Sequence, residues 1–205
     1  MSAVTILFRE EGGDTLPLEP TRWHGPITAA ERDLLATLRG PVLDVGCGPG
    51  RIVEAAGRSG LVALGVDPAP AAVALARGRG CPVLQRSVFD PLPGEGRWGC
   101  ALLWDGNIGI GGDPVRLLRR CRGLVRPEGK IVVEVEPPGT LSRRCRARLE
   151  RGAQASGWFG WSVVGTDAIT GLATEAGLVT DAVTVDADGR WFATLSRLDD
   201  DDAGR

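Results

Sequence analysis

The stretch VLDVGCGPGR at residues 42–51 constrains the fold more than any other. Val42, Leu43 and Val45 suit a buried strand, and the glycines at 46, 48 and 50 end it in backbone without Cβ atoms. The following residues, GRIVEAAGRSG, carry a helical pattern with Pro49 just ahead of its start. A strand that turns on glycines into a helix directs unpaired N–H groups at whatever lies above the turn. That arrangement suits an anionic group, either a phosphate or an amino-acid carboxylate. In open α/β sheets such ligands bind beyond the C-terminal strand ends, where the strand order reverses.

The next strand-like run, LVALGVD, ends at Asp67. A carboxylate there is placed to accept from both hydroxyls of a ribose, so glycine turn and acid together indicate an adenosine-containing ligand. The dinucleotide fingerprint needs glycine at position 51, where Arg51 stands. Asp44, two residues ahead of the first glycine, would repel a pyrophosphate but attract an α-ammonium. S-adenosylmethionine therefore fits better than a nicotinamide dinucleotide.

Strand-like and helix-like runs alternate from that point. PAAVALARGRG reads as a helix, CPVLQRSVF and CALLW as strands, and GDPVRLLRRCRGLV as a helix capped by Asp113. KIVVEVE is a fifth strand and TDAITGLATEAG a helix stopped at Gly177. VTDAVTVD and RWFATLSR, separated by ADG, form a terminal hairpin. Ahead of the glycine turn, TAAERDLLATL has Thr28 and Glu31 in capping-box spacing, while residues 1 to about 21 show no clean period. The pattern predicts a mostly parallel sheet covered on both faces, in one domain over 1–198. Residues 1–40 would cap a core at 41–198, and 199–205 would be a disordered acidic tail.

The 205 residues carry a formal net charge of −2, too little basic excess to hold nucleic acid or an anionic membrane. RRCRARLER at 143–151 is read as an exposed, solvated helix. No apolar stretch has the length of a membrane span or of a secretory leader. Cys47, Cys81, Cys100, Cys121 and Cys145 are odd in number and scattered, and His24 is the sole histidine. Neither a disulfide framework nor a metal site is expected, and a reducing cytoplasm is. Cys47 reads as a packing residue rather than a nucleophile.

VLDVGCGPG followed by ALGVDPAPAAVALAR resembles motifs I and II of the class I S-adenosylmethionine-dependent methyltransferases. LVRPEGKIVVEVEPPG is similar to the helix–turn–strand segment that closes their core, and RWHGP, RSVFDPLP, DGNIGIGGDP and GRWFATL resemble a bacterial subgroup. The likeness spans about 41–195. It implies a Rossmann-like three-layer α/β sandwich with a seven-stranded sheet in the order 3-2-1-4-5-7-6, the last strand antiparallel. It also implies that Asp44, Gly46, Cys47, Gly48 and Gly50 hold the methionine part, Asp67 the ribose, and Pro68 the side of the adenine. Ser87 stands where the family often has an aspartate reading the adenine amine, so Asp90, the Val88 N–H or the Phe89 ring would substitute. Asp105, Gly106 and Asn107 would lie where cofactor and acceptor meet.

The activity implied is methyl transfer to a small-molecule acceptor by in-line displacement, yielding S-adenosylhomocysteine, in a monomer or homodimer. His24, Asp105 and Glu136 are the candidates should the acceptor need a base. Arg22 is a candidate partner for the cofactor carboxylate. Trp158, Phe159 and Trp161 either build the acceptor pocket or pack under a loop. An NAD-dependent oxidoreductase and a non-catalytic cofactor-binding module are the alternatives.

Overall fold

The computed structural model describes residues 6–13, 15–18 and 23–198. The expected acidic tail and Arg22 lie outside them. Two strands open the chain, β1 (Ile6–Glu10) and β2 (Thr15–Leu18). Helix α1 (Ala29–Thr37) leads to β3 (Val42–Val45), α2 (Arg51–Arg58), β4 (Ala63–Asp67), α3 (Pro70–Gly78) and β5 (Val83–Gln85). Then come β6 (Trp98–Leu103), a 3₁₀ segment (Asn107–Gly112), α4 (Pro114–Leu124) and β7 (Val125–Val135). Strands β8 (Arg143–Arg151), β9 (Gln154–Ala155) and β10 (Phe159–Val163) precede α5 (Thr166–Glu175) and the hairpin β11 (Leu178–Val185) and β12 (Trp191–Arg197).

The main sheet has seven strands in the order β11-β12-β7-β6-β3-β4-β5. Every neighbouring pair is parallel except those of β12, which runs against both β7 and β11. This is the order and polarity that the family resemblance implies. Burial on both faces follows from the alternation of side chains. Leu43, Val45, Ala101 and Leu103 pack with Leu117, Leu118, Cys121 and Ile169 of α4 and α5. Val42, Cys100, Leu102 and Trp104 face the opposite layer, meeting Leu35 of α1, Ile52 and Ala56 of α2, and Phe192 of β12. Trp104 and Phe192 meet edge to face, with ring centroids 5.5 Å apart.

Two elements differ from the reading of the sequence. Residues 143–151 are a strand and not a helix, and the N-terminal segment without a clean period contains β1 and β2. Together with β9 and β10 they form a second, antiparallel sheet in the order β10-β8-β1-β2, with β9 on β8. The arginines of β8 are compensated by acids: Arg143 meets Glu10 and Arg146 meets Glu11 from the β1 side, and Glu150 of β8 itself is shared by Arg148 of the same strand and Arg9 of β1. Two of those acids lie more than a hundred residues away, so local propensity alone points to the wrong element. The third core strand is also shorter than expected, because residues 87–90 close into a turn with the Asp90 N–H on Ser87 O at 3.1 Å.

Candidate cofactor and acceptor site

All three glycines of the turn after β3 have left-handed backbone, with φ of 74° at Gly46, 53° at Gly48 and 82° at Gly50. Side chains rarely tolerate that region. Space constrains two of them further. A Cβ on Gly46 would lie 2.7 Å from the Asn107 side-chain nitrogen, and one on Gly50 would lie 2.9 Å from Ala76 Cβ. A Cβ on Gly48 would meet no protein atom within 4 Å, so the middle of the turn is bare backbone facing open space. The Asn107 amide donates to Val45 O at 2.8 Å and Gly46 O at 3.0 Å, bracing the turn from the end of β6. The sequence places Asn107 against the cofactor; its donors instead hold the loop that would bind it.

Asp67, at the end of β4, accepts from the Gly48 N–H at 3.0 Å and the Ala69 N–H at 2.8 Å. Each carboxylate oxygen has a further lone pair. Partial burial raises its pKa and the two N–H donors oppose that rise. The neighbouring Pro68 is exposed. Asp44 sits under the turn at 3% exposure, and its Oδ2 has no hydrogen-bond partner. Burial, then the Asp105 charge, pushes its carboxyl up to about 7, with Arg51 opposing and Asp67 adding to the rise. A buried carboxylate oxygen without a partner is costly unless a cation comes to it.

Cys47 packs against Gly65, on which a Cβ would lie 2.5 Å from the sulfur. Burial and then the Asp44 charge push its thiol far above the usual range. It is inert packing, since the thiolate is the reactive form.

A buried charge network stands beside this turn. Arg51, 5% exposed, donates to Glu31 at 2.6 Å and to both oxygens of Asp105 at 3.0 and 2.8 Å. Arg190, just ahead of β12, reaches Glu134 at 2.9 and 2.5 Å, Asp105 at 3.2 Å, and the second oxygen of Glu31. The Asp105 N–H donates to Glu134, and Asp105 itself holds a positive φ of 56°. Burial alone would raise the Glu31 carboxyl, but Arg51 and the Thr28 N–H outweigh it and hold it down at about 2. Among the described residues the network joins the carboxylates of Glu31, Asp105 and Glu134 through the guanidiniums of Arg51 and Arg190. From sequence, Glu31 reads only as a capping residue, a role it also fills (2.9 Å to the Thr28 N–H), and Glu134 and Arg190 draw no notice. A glutamate inside VVEVE, a core strand of a parallel sheet, was the available signal.

The three candidate bases are not brought together. Asp105 is spent in the network. His24 is exposed on the α3 side, its carbonyl accepting from Arg79 at 2.6 Å. Glu136 stands at the end of β7, where it lines a cleft with Gly106, Glu134, Trp161 and Ser162. Of the three aromatics after β7, Trp161 lines this cleft. It packs edge to face with Phe8 and Phe159, at 6.0 and 6.1 Å, whereas Trp158 lies under the Arg148 guanidinium. At the end of β5 the Ser87 hydroxyl accepts from the Phe89 N–H at 3.2 Å, and the Ser87 N–H donates to Asp90 at 3.2 Å. Ser87 is thus turned toward its own loop. The Val88 carbonyl accepts from Arg120 at 2.8 Å, and the Phe89 ring carries the Arg116 guanidinium 4.3 Å above its centre.

Among the described residues, no group of His, Cys, Asp and Glu could hold a metal ion, and no helix is long and apolar enough to cross a membrane.

Residues 26–183 match a protein family described as "Methyltransferase domain". No curated protein matches the sequence. Among solved structures, a SAM-dependent methyltransferase from Bacteroides fragilis, in complex with S-adenosyl-L-homocysteine, superposes with a TM-score of 0.82. It is 20% identical, over 96% of this chain and 89% of that one. The Burkholderia thailandensis 1,6-didemethyltoxoflavin-N1-methyltransferase gives 0.60 at 22% identity, covering 83% and 79%. The sugar N-methyltransferase KedS8 from Streptoalloteichus gives 0.63 at 19%, covering 90% and 95%.

Proposed function

The chain belongs to the methyltransferase-domain family, and from that premise we propose that it moves a methyl group from S-adenosylmethionine to a small-molecule acceptor in the cytoplasm, leaving S-adenosylhomocysteine. The observation that carries the cofactor assignment is the partnerless Asp44 Oδ2, buried beneath a turn of bare backbone. An α-ammonium supplies the missing donor; a pyrophosphate supplies only repulsion.

The residues fit the group end to end. Asp44 and the backbone of Gly46, Cys47 and Gly48 would take the methionine part. Asp67, already oriented by two N–H donors, would accept from the ribose hydroxyls. Phe89 and the Val88 backbone would flank the adenine, with Pro68 at its side. When bound, the cofactor supplies a methyl group already activated by a sulfonium. The protein's task is then alignment of the acceptor atom with that methyl, within roughly 3–3.5 Å. The small-molecule assignment draws on the toxoflavin-precursor and sugar methyltransferases of similar fold.

Calorimetry with S-adenosylmethionine and with NAD tests the reading. The first should bind and the second should not. Asp67→Ala should weaken cofactor binding about 100-fold, as expected for two charge-assisted hydrogen bonds at about 1.5 kcal/mol each. Tighter binding of NAD, or an Asp67→Ala variant with unchanged affinity, refutes it.

A further inference from the structure

Resting on the methyl-transfer reading, we infer that the acceptor is a neutral planar aromatic compound, carried on a wall of rings that the second sheet presents beside the cleft at the end of β7. Phe8 of β1, Phe159 and Trp161 of β10, and Cys145, Ala147 and Leu149 of β8 share one face of that sheet. The register fixes this, since Phe8 pairs with Leu149, Phe159 with Ala147 and Trp161 with Cys145. The three rings meet edge to face, with centroids 6.0, 6.1 and 6.4 Å apart. Ala147, directly opposite Phe159, is fully buried, while the rings themselves stay partly exposed. Glu10, on the same face, is paired with Arg143.

Trp161 joins this wall to the cleft, which it lines with Gly106 and Glu136. Its indole lies against the segment after β6, where a Cβ on Gly109 would stand 2.5 Å from the ring. The same segment contains Asn107, whose amide braces the glycine turn, so the ring wall and the cofactor turn are held to one short piece of chain. The cleft offers about 50 Å³, against about 150 Å³ for a cavity that takes up benzene. It therefore admits the reacting group and not the body of an acceptor, and the surface that continues it outward through Trp161 is aromatic. Ring–ring contacts contribute beyond the apolar area they bury, which favours a flat π-system over a saturated skeleton of equal size. A protonated amine has no lone pair to give, and an anion would meet the Glu136 carboxylate at the mouth; a neutral ring has neither defect. The reacting atom is then an oxygen or nitrogen on the rim of that ring. Its lone pair forms the bond to the methyl carbon as the C–S bond breaks, and the bonding pair stays on sulfur. The proton it sheds leaves to solvent at the mouth of the cleft, where Glu136 is exposed.

The test uses the full chain saturated with S-adenosylhomocysteine, whose binding is measured first and which keeps other rings out of the adenine site. The probes are 2-naphthol and its saturated counterpart decahydro-2-naphthol, titrated at pH 7 by calorimetry. The naphthol should bind about tenfold tighter, although the saturated alcohol is at least as apolar and would bind equally or better if burial were the only attraction. Trp161→Leu should cut that preference to about twofold or less while leaving S-adenosylhomocysteine affinity unchanged, and Trp161→Phe should restore most of it. Phe159→Leu should cut it part of the way, and it decides the matter if Trp161→Leu melts early. Equal or tighter binding of the saturated alcohol, no binding of the naphthol, or leucine variants that keep the wild-type preference overturns the aromatic assignment. Failure of S-adenosylhomocysteine to bind overturns instead the reading on which it rests.

Discussion

Replacing Asp44 by asparagine separates stability from cofactor binding. The carboxyl is buried, and its pKa is raised from 3.8 to about 7. At 1.36 kcal/mol per pKa unit, carrying the charge above pH 7 costs the cofactor-free protein up to about 4 kcal/mol. The sign follows from linkage. Because the folded pKa is the higher one, the folded state binds the extra proton between pH 4 and 7. Relative stability from this group is therefore full below about pH 4 and lost as pH rises through 7. Asparagine removes that loss, partly offset by its own unpaired amide, so a net gain of about 1–3 kcal/mol is expected at pH 8. That is a rise in melting temperature of several degrees for a chain of this size. At pH 4 the gain should vanish. Cofactor binding should move the other way. If the ammonium needs the ionised carboxylate, wild-type affinity should rise about 15-fold between pH 5.5 and 7, as the ionised fraction grows from about 3% to half. The Asp44→Asn variant should bind more weakly and show no such slope. Thermal melts and calorimetry across this range read both effects. A variant that is less stable at pH 8 and binds the cofactor as tightly as wild type would refute the reasoning.

The turn glycines should separate by cause. Gly48→Ala should fold with a loss of about 1–2 kcal/mol from its left-handed backbone, yet place a methyl in the cleft and weaken cofactor binding at least 30-fold by calorimetry. Gly46→Ala should instead lose stability more heavily in urea melts, because its new methyl meets Asn107. Arg51→Leu removes one of the two cations shared by Glu31 and Asp105, leaving only Arg190 between them, and should cost about 3–5 kcal/mol in the same assay. Cys47→Ala should keep full cofactor affinity, and wild-type Cys47 should resist iodoacetamide at pH 8, with modification mapped by mass spectrometry.

The main sheet was legible because its signals are local. A run of apolar residues in Val42–Val45 and Trp98–Leu103, a capping box at Thr28 and Glu31, and an Asp113 cap each act within a few residues. The glycine turn was legible for the same reason, since left-handed backbone leaves its mark in composition. The second sheet was not. Strand β8 is an arginine-rich segment whose reason to be extended is its pairing with β1, 141 residues away at the Arg9–Glu150 contact. Long-range pairing overrides local propensity, and nothing near residue 143 encodes it.

The charge network failed to show itself for a related reason with a functional edge. Glu31, Arg51, Asp105, Glu134 and Arg190 come from five separate parts of the chain, and each has an ordinary local explanation. What gathers them is topology: α1 and α2 begin, β6 and β7 end, and β12 starts at the same edge of the sheet. That is also the edge where Asp44 waits for a cation. Asp105 joins both systems, since it pairs with Arg51 and Arg190 and raises the Asp44 carboxyl by its charge. The network thus fixes the N-terminal helix and the terminal hairpin to the core, while burial and then the Asp105 charge keep Asp44 reluctant to ionise until a cation arrives. A pairing of this kind trades stability of the empty protein for discrimination in favour of a cationic ligand.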